Sequence, residues 1–181
     1  MRFLPTSLAG VIGIELERHV DERGYFARTW CDREAAGHGL RTPMRQHSIA
    51  FNPRTGTTRG LHYQAPLQQV RVIRCVAGAA FTVLVDLRRS SPTFLTPLAL
   101  VLDGGSQKAL YVPPGIAAGY QTLTDDTMIC YQMADDFDPG SERGVRWNDP
   151  AFGITWPAEP TSINDRDAHY PDFDPRTGGV P

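Results

Sequence analysis

The stretch Gln68–Leu87, QQVRVIRCVAGAAFTVLVDL, decides the fold. Its two parts, Gln68–Val76 and Ala79–Leu87, carry alternating or continuous β-forming residues that suit a pleated strand. The same character recurs in Val11–Leu16 (VIGIEL), Leu98–Leu102 (LALVL) and Thr127–Met133 (TMICYQM). Between these runs lie DERG, NPRTG, RRSSP, DGGS, VPPG and DPGS, each rich in the residues that turns require. Helical periodicity is scarce: Asp32–His38 (DREAAGH) allows one or two turns, with Asp32 as the expected N-cap. Short, regularly spaced strands without intervening helices imply an antiparallel sandwich or barrel. From Pro157 onward the chain turns rich in proline, aspartate and glycine. This predicts an irregular tail over about 157–181 that wraps the barrel and frays near Arg176–Pro181. No internal repeat or interdomain linker is visible, so one all-β domain is expected over 1–181.

Composition narrows the function classes. The chain has 181 residues, 41% of them hydrophobic and 9% aromatic, enough for one domain with a full core and short for two. No segment approaches the roughly 18 consecutive apolar residues that a bilayer crossing needs. The start, MRFLPTSLAG, has one early arginine but no long apolar core, so no signal peptide is read. A formal net charge of −2 argues against a nucleic-acid partner, which calls for a strongly basic face. Cys31, Cys75 and Cys130 are far apart and odd in number, with no CxxC pair, and the reading is a cytoplasmic protein. Cys75 and Cys130 lie in apolar runs and read as small buried hydrophobes. Lys108 is the only lysine, so nearly all positive charge is arginine.

Candidate chemistry centres on His62 in TRGLHYQ. A lone histidine is more often structural than catalytic, yet histidine is the usual proton shuttle near neutral pH. Arg59, three residues away, suits an anionic group. Metal-binding jelly rolls of the cupin type resemble one another in a motif of two histidines separated by one residue, then a carboxylate, and a further histidine after a P-x-G turn. Here the first motif offers only His62, followed by Tyr63 and Gln64, and PPGIAAGY places Ala118 near the last position. One imidazole cannot hold a metal that needs three or four ligands, so no metal and no cofactor are expected, and proton transfer becomes the favoured chemistry. Tyr131 alternates with Ile129 and Met133 and should share their face. It reads as an ordinary strand tyrosine or as a proton donor on a barrel wall. Asp167, in INDRDAHYP, reads as a solvated loop carboxylate, and spacing alone cannot bring it to His62. Arg23, in DERGYF, reads as a turn charge or a phosphate ligand; with Arg59 and Arg71 it makes an arginine set that suits a pyrophosphate.

From about Phe3 to Tyr170 the chain resembles the dTDP-4-dehydrorhamnose 3,5-epimerase family. The resemblance is carried in order by DERGYF, TRGLHYQ, VIRCVAGAAFTVLVDLRRSSPTF, YVPPG, GYQTL, WNDPAFGITWP and the INDRDA tail. It implies a homodimeric antiparallel β-jelly roll (cupin barrel) acting on a nucleotide-linked 4-keto-6-deoxyhexose. It further implies His62 as base, Asp167 as its partner, and Tyr131 as the donor from the opposite face. Arg23, Phe26, Gln46 and Arg59 match positions that contact the nucleotide or its phosphates. Three departures stand out. Arg71 occupies the place of a lysine that stabilises the enolate oxygen; Ala118 replaces a pocket histidine; Arg28 stands where some members carry a glutamate that contacts the base. Two other readings stay open at this level: a sugar-nucleotide 3,4-ketoisomerase, and a non-catalytic sugar-nucleotide-binding dimer. No nucleic acid or membrane partner is expected.

Overall fold

Alternation along Thr127–Met133 puts Ile129, Tyr131 and Met133 on one face of a strand and Met128, Cys130 and Gln132 on the other. The computed structural model, which describes Met1–Pro181, turns the first face inward. The chain runs through β1 (Arg2–Pro5) and β2 (Ile12–Glu15), a hairpin of β3 (Arg18–Asp21) and β4 (Gly24–Ala27), and the short helix α1 (Asp32–Gly37). Then follow β5 (Gln46–Asn52), β6 (Thr58–Gln64), β7 (Arg71–Ala77), β8 (Ala79–Asp86) and β9 (Pro97–Asp103). The strands β10 (Ala109–Val112), β11 (Ile116–Thr122), β12 (Thr127–Met133) and β13 (Glu142–Gly144) complete the sheets, and α2 (Asp165–Ala168) lies in the tail. No helix is long and apolar enough to cross a membrane.

Six strands order as β1-β2-β10-β7-β12-β5 and five as β13-β6-β11-β8-β9, with every pairing between these strands antiparallel. The two sheets close on a shared core that includes Ile73, Cys75, Leu84, Leu110, Ile116, Tyr120 and Ile129. This is the expected jelly roll. The runs read from sequence become β2, β7, β8, β9 and β12. Strand β7 starts at Arg71 rather than Gln68 because the Gln68 and Val70 carbonyls bond Arg41 and the Ala134 N–H outside the ladder.

A second cluster, on the outer face of the five-stranded sheet, joins Leu61, Val83, Val85 and Ala117 to Phe152 and Phe173 of the wrapping tail. Leu61 is fully buried there, and truncation to alanine should cost about 2–5 kcal/mol. The tail departs from expectation in two ways. It contains the helix α2, nucleated by Asn164, whose side chain accepts the Asp167 N–H at 2.7 Å. Its end does not fray: the Val180 N–H donates to Leu87 O and the Arg89 N–H to Val180 O, each at 2.8 Å, and Val180 is buried. The helix α1 forms as expected, but its N-cap is Cys31 rather than Asp32. The Asp32 carboxylate is instead bonded by the Trp30 indole at 2.7 Å. Cys75 is buried as read, whereas Cys130 faces outward and is only half-buried.

Strand β5 inverts the usual amphipathic order. Asn52 is buried, and the residues two apart from it, back to Gln46, share its inward face. The outward face carries Ile49 and Phe51, 66% and 48% exposed, with Met128 beside Phe51 on β12. An edge strand that turns Gln46, Ser48 and Asn52 inward has its inner face given to something other than core packing.

Candidate active site

The inward set of polar residues depends on one extra residue in β6. Along β11, Ala118 pairs with His62 and Tyr120 with Arg59, so two residues on β11 span three on β6. Such a bulge shifts the side-chain parity by one. Because Ala118 and Tyr120 both point into the core, Arg59 and His62, three apart, also point inward, while Leu61 points to the outer cluster. Gly60 permits this. It sits at φ +103°, and a Cβ there would lie 2.7 Å from Ala118 O and 2.8 Å from Gly119 Cα.

His62 meets Asp167 across 105 residues of chain. Its Nε2 lies 2.7 Å from Asp167 Oδ1, and Oδ2 of the same carboxylate accepts the Gly60 N–H at 2.8 Å. The Asp167 side chain is fully buried, the imidazole 28% exposed. Burial works to raise the Asp167 pKa, but the bonds from His62 and Gly60 and the nearby Arg166 charge outweigh it, and the group is held below the usual carboxylate range. An ionised Asp167 fixes the Nε2–H tautomer and leaves the Nδ1 lone pair free.

On the facing sheet Arg71 reaches across the barrel. Its Nη1 donates to His62 O at 3.1 Å and its Nη2 to Ile116 O at 2.8 Å, tying β7 to β6 and β11. No carboxylate pairs with it among the ion pairs of the chain. Burial pushes its guanidinium down to about 10, with Tyr131 acting in the opposite sense. Both carbonyls belong to positions flanking Ala118: His62 is its cross-strand partner and Ile116 lies two residues before it. A guanidinium therefore crosses next to a methyl group.

Tyr131 projects inward from β12 among Tyr120, Arg71 and Arg59. Burial pushes its phenol well above the ordinary value, and Tyr120 adds to this while the two arginines oppose it. The group is thus a neutral donor at physiological pH. Arg59 is oriented by Nε donation to Asn52 Oδ1 at 2.9 Å, and the Tyr120 hydroxyl donates to the same oxygen at 3.2 Å. Asn52 is completely buried and completes its own bonding through Nδ2 to Thr127 O. Beside Arg59 opens a polar cleft of about 190 Å³ lined by Thr57, Thr58, Ser162, Ile163 and Asn164. Gln46, on the inward row of β5, accepts the Phe137 N–H at 2.9 Å.

The structure thus brings His62, Asp167, Tyr131, Arg71 and Arg59 to one end of the barrel. Arg23 and Phe26 stand elsewhere. They occupy the β3–β4 hairpin, where Arg23 pairs with Asp21 and Phe26 is 74% exposed. Arg28 pairs with Glu34 at 2.5 Å. Asn52, Tyr120 and Gly60 were missed by sequence reading, since NPRTG signals a turn and a bulge has no local signature. No group of three or more His, Cys, Asp or Glu side chains converges anywhere in the chain.

The fold and site together define a class: an antiparallel jelly roll whose interior holds an imidazole bonded to a buried carboxylate, a tyrosine and two arginines. The profile of dTDP-4-dehydrorhamnose 3,5-epimerase matches residues 5–175, and the chain belongs to that family. It is 35% identical over 158 residues to the dTDP-4-dehydrorhamnose 3,5-epimerase of Methanothermobacter thermautotrophicus, covering 87% of this chain and 85% of that one. It is 36% identical to the dTDP-4-dehydrorhamnose 3-epimerase of Streptomyces niveus, covering 92% and 81%. The crystal structure of the 3,5-epimerase from Bacillus anthracis with TDP and pyrophosphate bound superposes with a TM-score of 0.91 at 29% identity, covering 95% and 99%.

Proposed function

We propose that this epimerase-family protein inverts one or two stereocentres of a nucleotide-linked 4-keto-6-deoxyhexose, with His62 as base and Tyr131 as the opposing acid. The observation that carries the reading is the 2.7 Å contact between His62 and the fully buried Asp167. The C4 ketone acidifies the hydrogens on C3 and C5. His62 Nδ1 takes one of them, and the electron pair passes to the C4 oxygen as an enolate. Asp167 stabilises the imidazolium so formed. Tyr131 returns a proton to the other face of the carbon, and solvent restores both groups. Arg71, a half-buried cation with N–H groups beyond the two it uses, supports the developing enolate charge. Arg59, beside its polar cleft, suits the diphosphate.

We further infer a homodimer in the cytoplasm. Ile49, Phe51 and Met128 leave an apolar outer face on β5 and β12 that a second copy would cover. A dimer also offers a role to Arg23, Phe26 and Gln46, two of which stand on a hairpin away from their own chain's site. The three free cysteines suit a reducing compartment.

The test is incubation with dTDP-4-keto-6-deoxyglucose in heavy water, with deuterium followed by NMR. Uptake at C3 and C5 with inversion marks a double epimerase, and uptake at C3 alone matches the 3-epimerase relative. Binding without uptake, or uptake that survives in His62→Asn, would sink the assignment.

A further inference from the structure

Behind the His62–Asp167 pair lies an ion pair that the proton transfer does not itself use. Arg166, the neighbour of Asp167 on α2, places Nε 3.6 Å from Asp167 Oδ1, the oxygen that holds the imidazole. Its Nη1 lies 2.7 Å from Glu142 Oε2 on β13. Strand β13 in turn pairs with β6, Gly144 lying opposite His62 and Glu142 opposite Gln64. The four groups Glu142, Arg166, Asp167 and His62 therefore form a row in which charge alternates once the imidazole is protonated.

The row is fastened at a second point. The Tyr170 ring, just past α2, lies over Gly144 so closely that a Cβ there would be 2.2 Å from the ring. A side chain at position 144 would thus displace the Tyr170 ring. The other charged or titratable groups around the site are Arg71 from β7, which bonds His62 O, Arg59 from the same strand as His62, Tyr131 from β12 and Tyr120 from β11. None of them contacts Asp167, so Arg166 is the one cation other than His62 that competes for that carboxylate.

We propose that Glu142 and Arg166 are positioning residues that set how strongly Asp167 holds the protonated imidazole: Arg166 draws on the shared oxygen, and Glu142 offsets its charge. This rests on the reading of His62 as base. The sign follows from electrostatics. Removing the Glu142 charge leaves Arg166 to disfavour the imidazolium, so His62 loses its proton at lower pH. Removing the Arg166 charge does the reverse. Arg166 is 47% exposed, so water screens its charge, and a shift of only about half a pH unit is expected each way.

The experiment uses Glu142→Gln, Arg166→Gln and the double variant in the full chain. Two quantities are read in each: the His62 imidazole titration by NMR, assigned against His62→Asn, and the pH dependence of deuterium wash-in. The expected result is opposite displacement of the two single variants, with the double variant between them. On the acid limb this is about a threefold rate change in each direction. A merely structural ion pair is broken equally by either substitution. Displacement in the same direction, or no displacement of the imidazole titration, would therefore overturn the proposal. Opposite displacement of the imidazole without movement of the rate profile would support the charge row and overturn His62 as base.

Discussion

Replacing Asp167 by asparagine changes one atom in a site that uses both carboxylate oxygens. Oδ2 accepts the Gly60 N–H and Oδ1 receives His62 Nε2, with no water access to the side chain. An amide has a single acceptor oxygen, so it can serve only one of these donors. If its oxygen stays on the Gly60 N–H, its NH2 faces Nε2, and the imidazole must carry its proton on Nδ1. The base is then occupied at the atom that should attack. If instead the oxygen turns to His62, two N–H groups oppose each other in a buried setting, at a cost of about 1–3 kcal/mol. The first arrangement avoids that cost, and the variant folds with the inactive tautomer. The loss of imidazolium stabilisation adds to the effect, and a comparable exchange at a histidine-orienting aspartate costs about 10⁴ in rate. A 10⁴-fold loss corresponds to about 5.5 kcal/mol in transition-state stabilisation. The assay is the rate of deuterium wash-in from heavy water, with dTDP affinity measured by calorimetry as a control on the pocket. Wash-in within tenfold of the parent, at unchanged affinity, would refute the tautomer argument. Stability is linked as well. The folded Asp167 pKa lies below the unfolded one, so its contribution is present above the usual carboxylate range and is lost as pH falls through the folded value.

Three further outcomes follow from the geometry. Tyr131→Phe removes the acid but not the base, so solvent exchange should persist while inversion falls at least about 100-fold; equal loss of both would place the phenol elsewhere in the reaction. Arg71→Met leaves the His62 and Ile116 carbonyls without their cross-barrel donor, which should cost about 1–3 kcal/mol and lower the melting temperature by several degrees; an unchanged melt would count against the brace. Asp86 is fully buried, and burial opposes its ionisation, yet bonds from Arg88, Ser91 and Thr93 bring it down to about 2. Its contribution of about 2 kcal/mol is present above pH 4 and lost as pH falls toward 2; denaturation midpoints should show this loss, and Asp86→Asn should flatten it.

Much of the architecture was legible in local chemistry. Period-2 alternation along Thr127–Met133 placed Tyr131 on the inner wall, and the strand coincides with β12 to the residue. The turn signal RRSSP separated β8 from β9, and the spacing of such signals excluded a helical fold. Other strands escaped because their neighbours, not their composition, make them strands. The segment IAAGYQT has weak β preference, yet β11 is buried along its whole length between the core and the tail-covered outer cluster. Strand β5 escaped because Gln46, Ser48 and Asn52 face inward while Ile49 and Phe51 face outward. The site divides in the same way. His62, Tyr131 and Arg71 stand in motifs that residue type and resemblance could mark as chemical. Their joint use was decided only in three dimensions. One extra residue at Gly60 turns Arg59 and His62 to the same side, and the tail's last helix carries Asp167 back over 105 residues to meet the imidazole. The physical reason is range. Strand and turn preferences act over a few residues and are written in local composition. The bulge, the His62–Asp167 contact and the ordered tail exist only because sheets packed far apart in sequence bring them together.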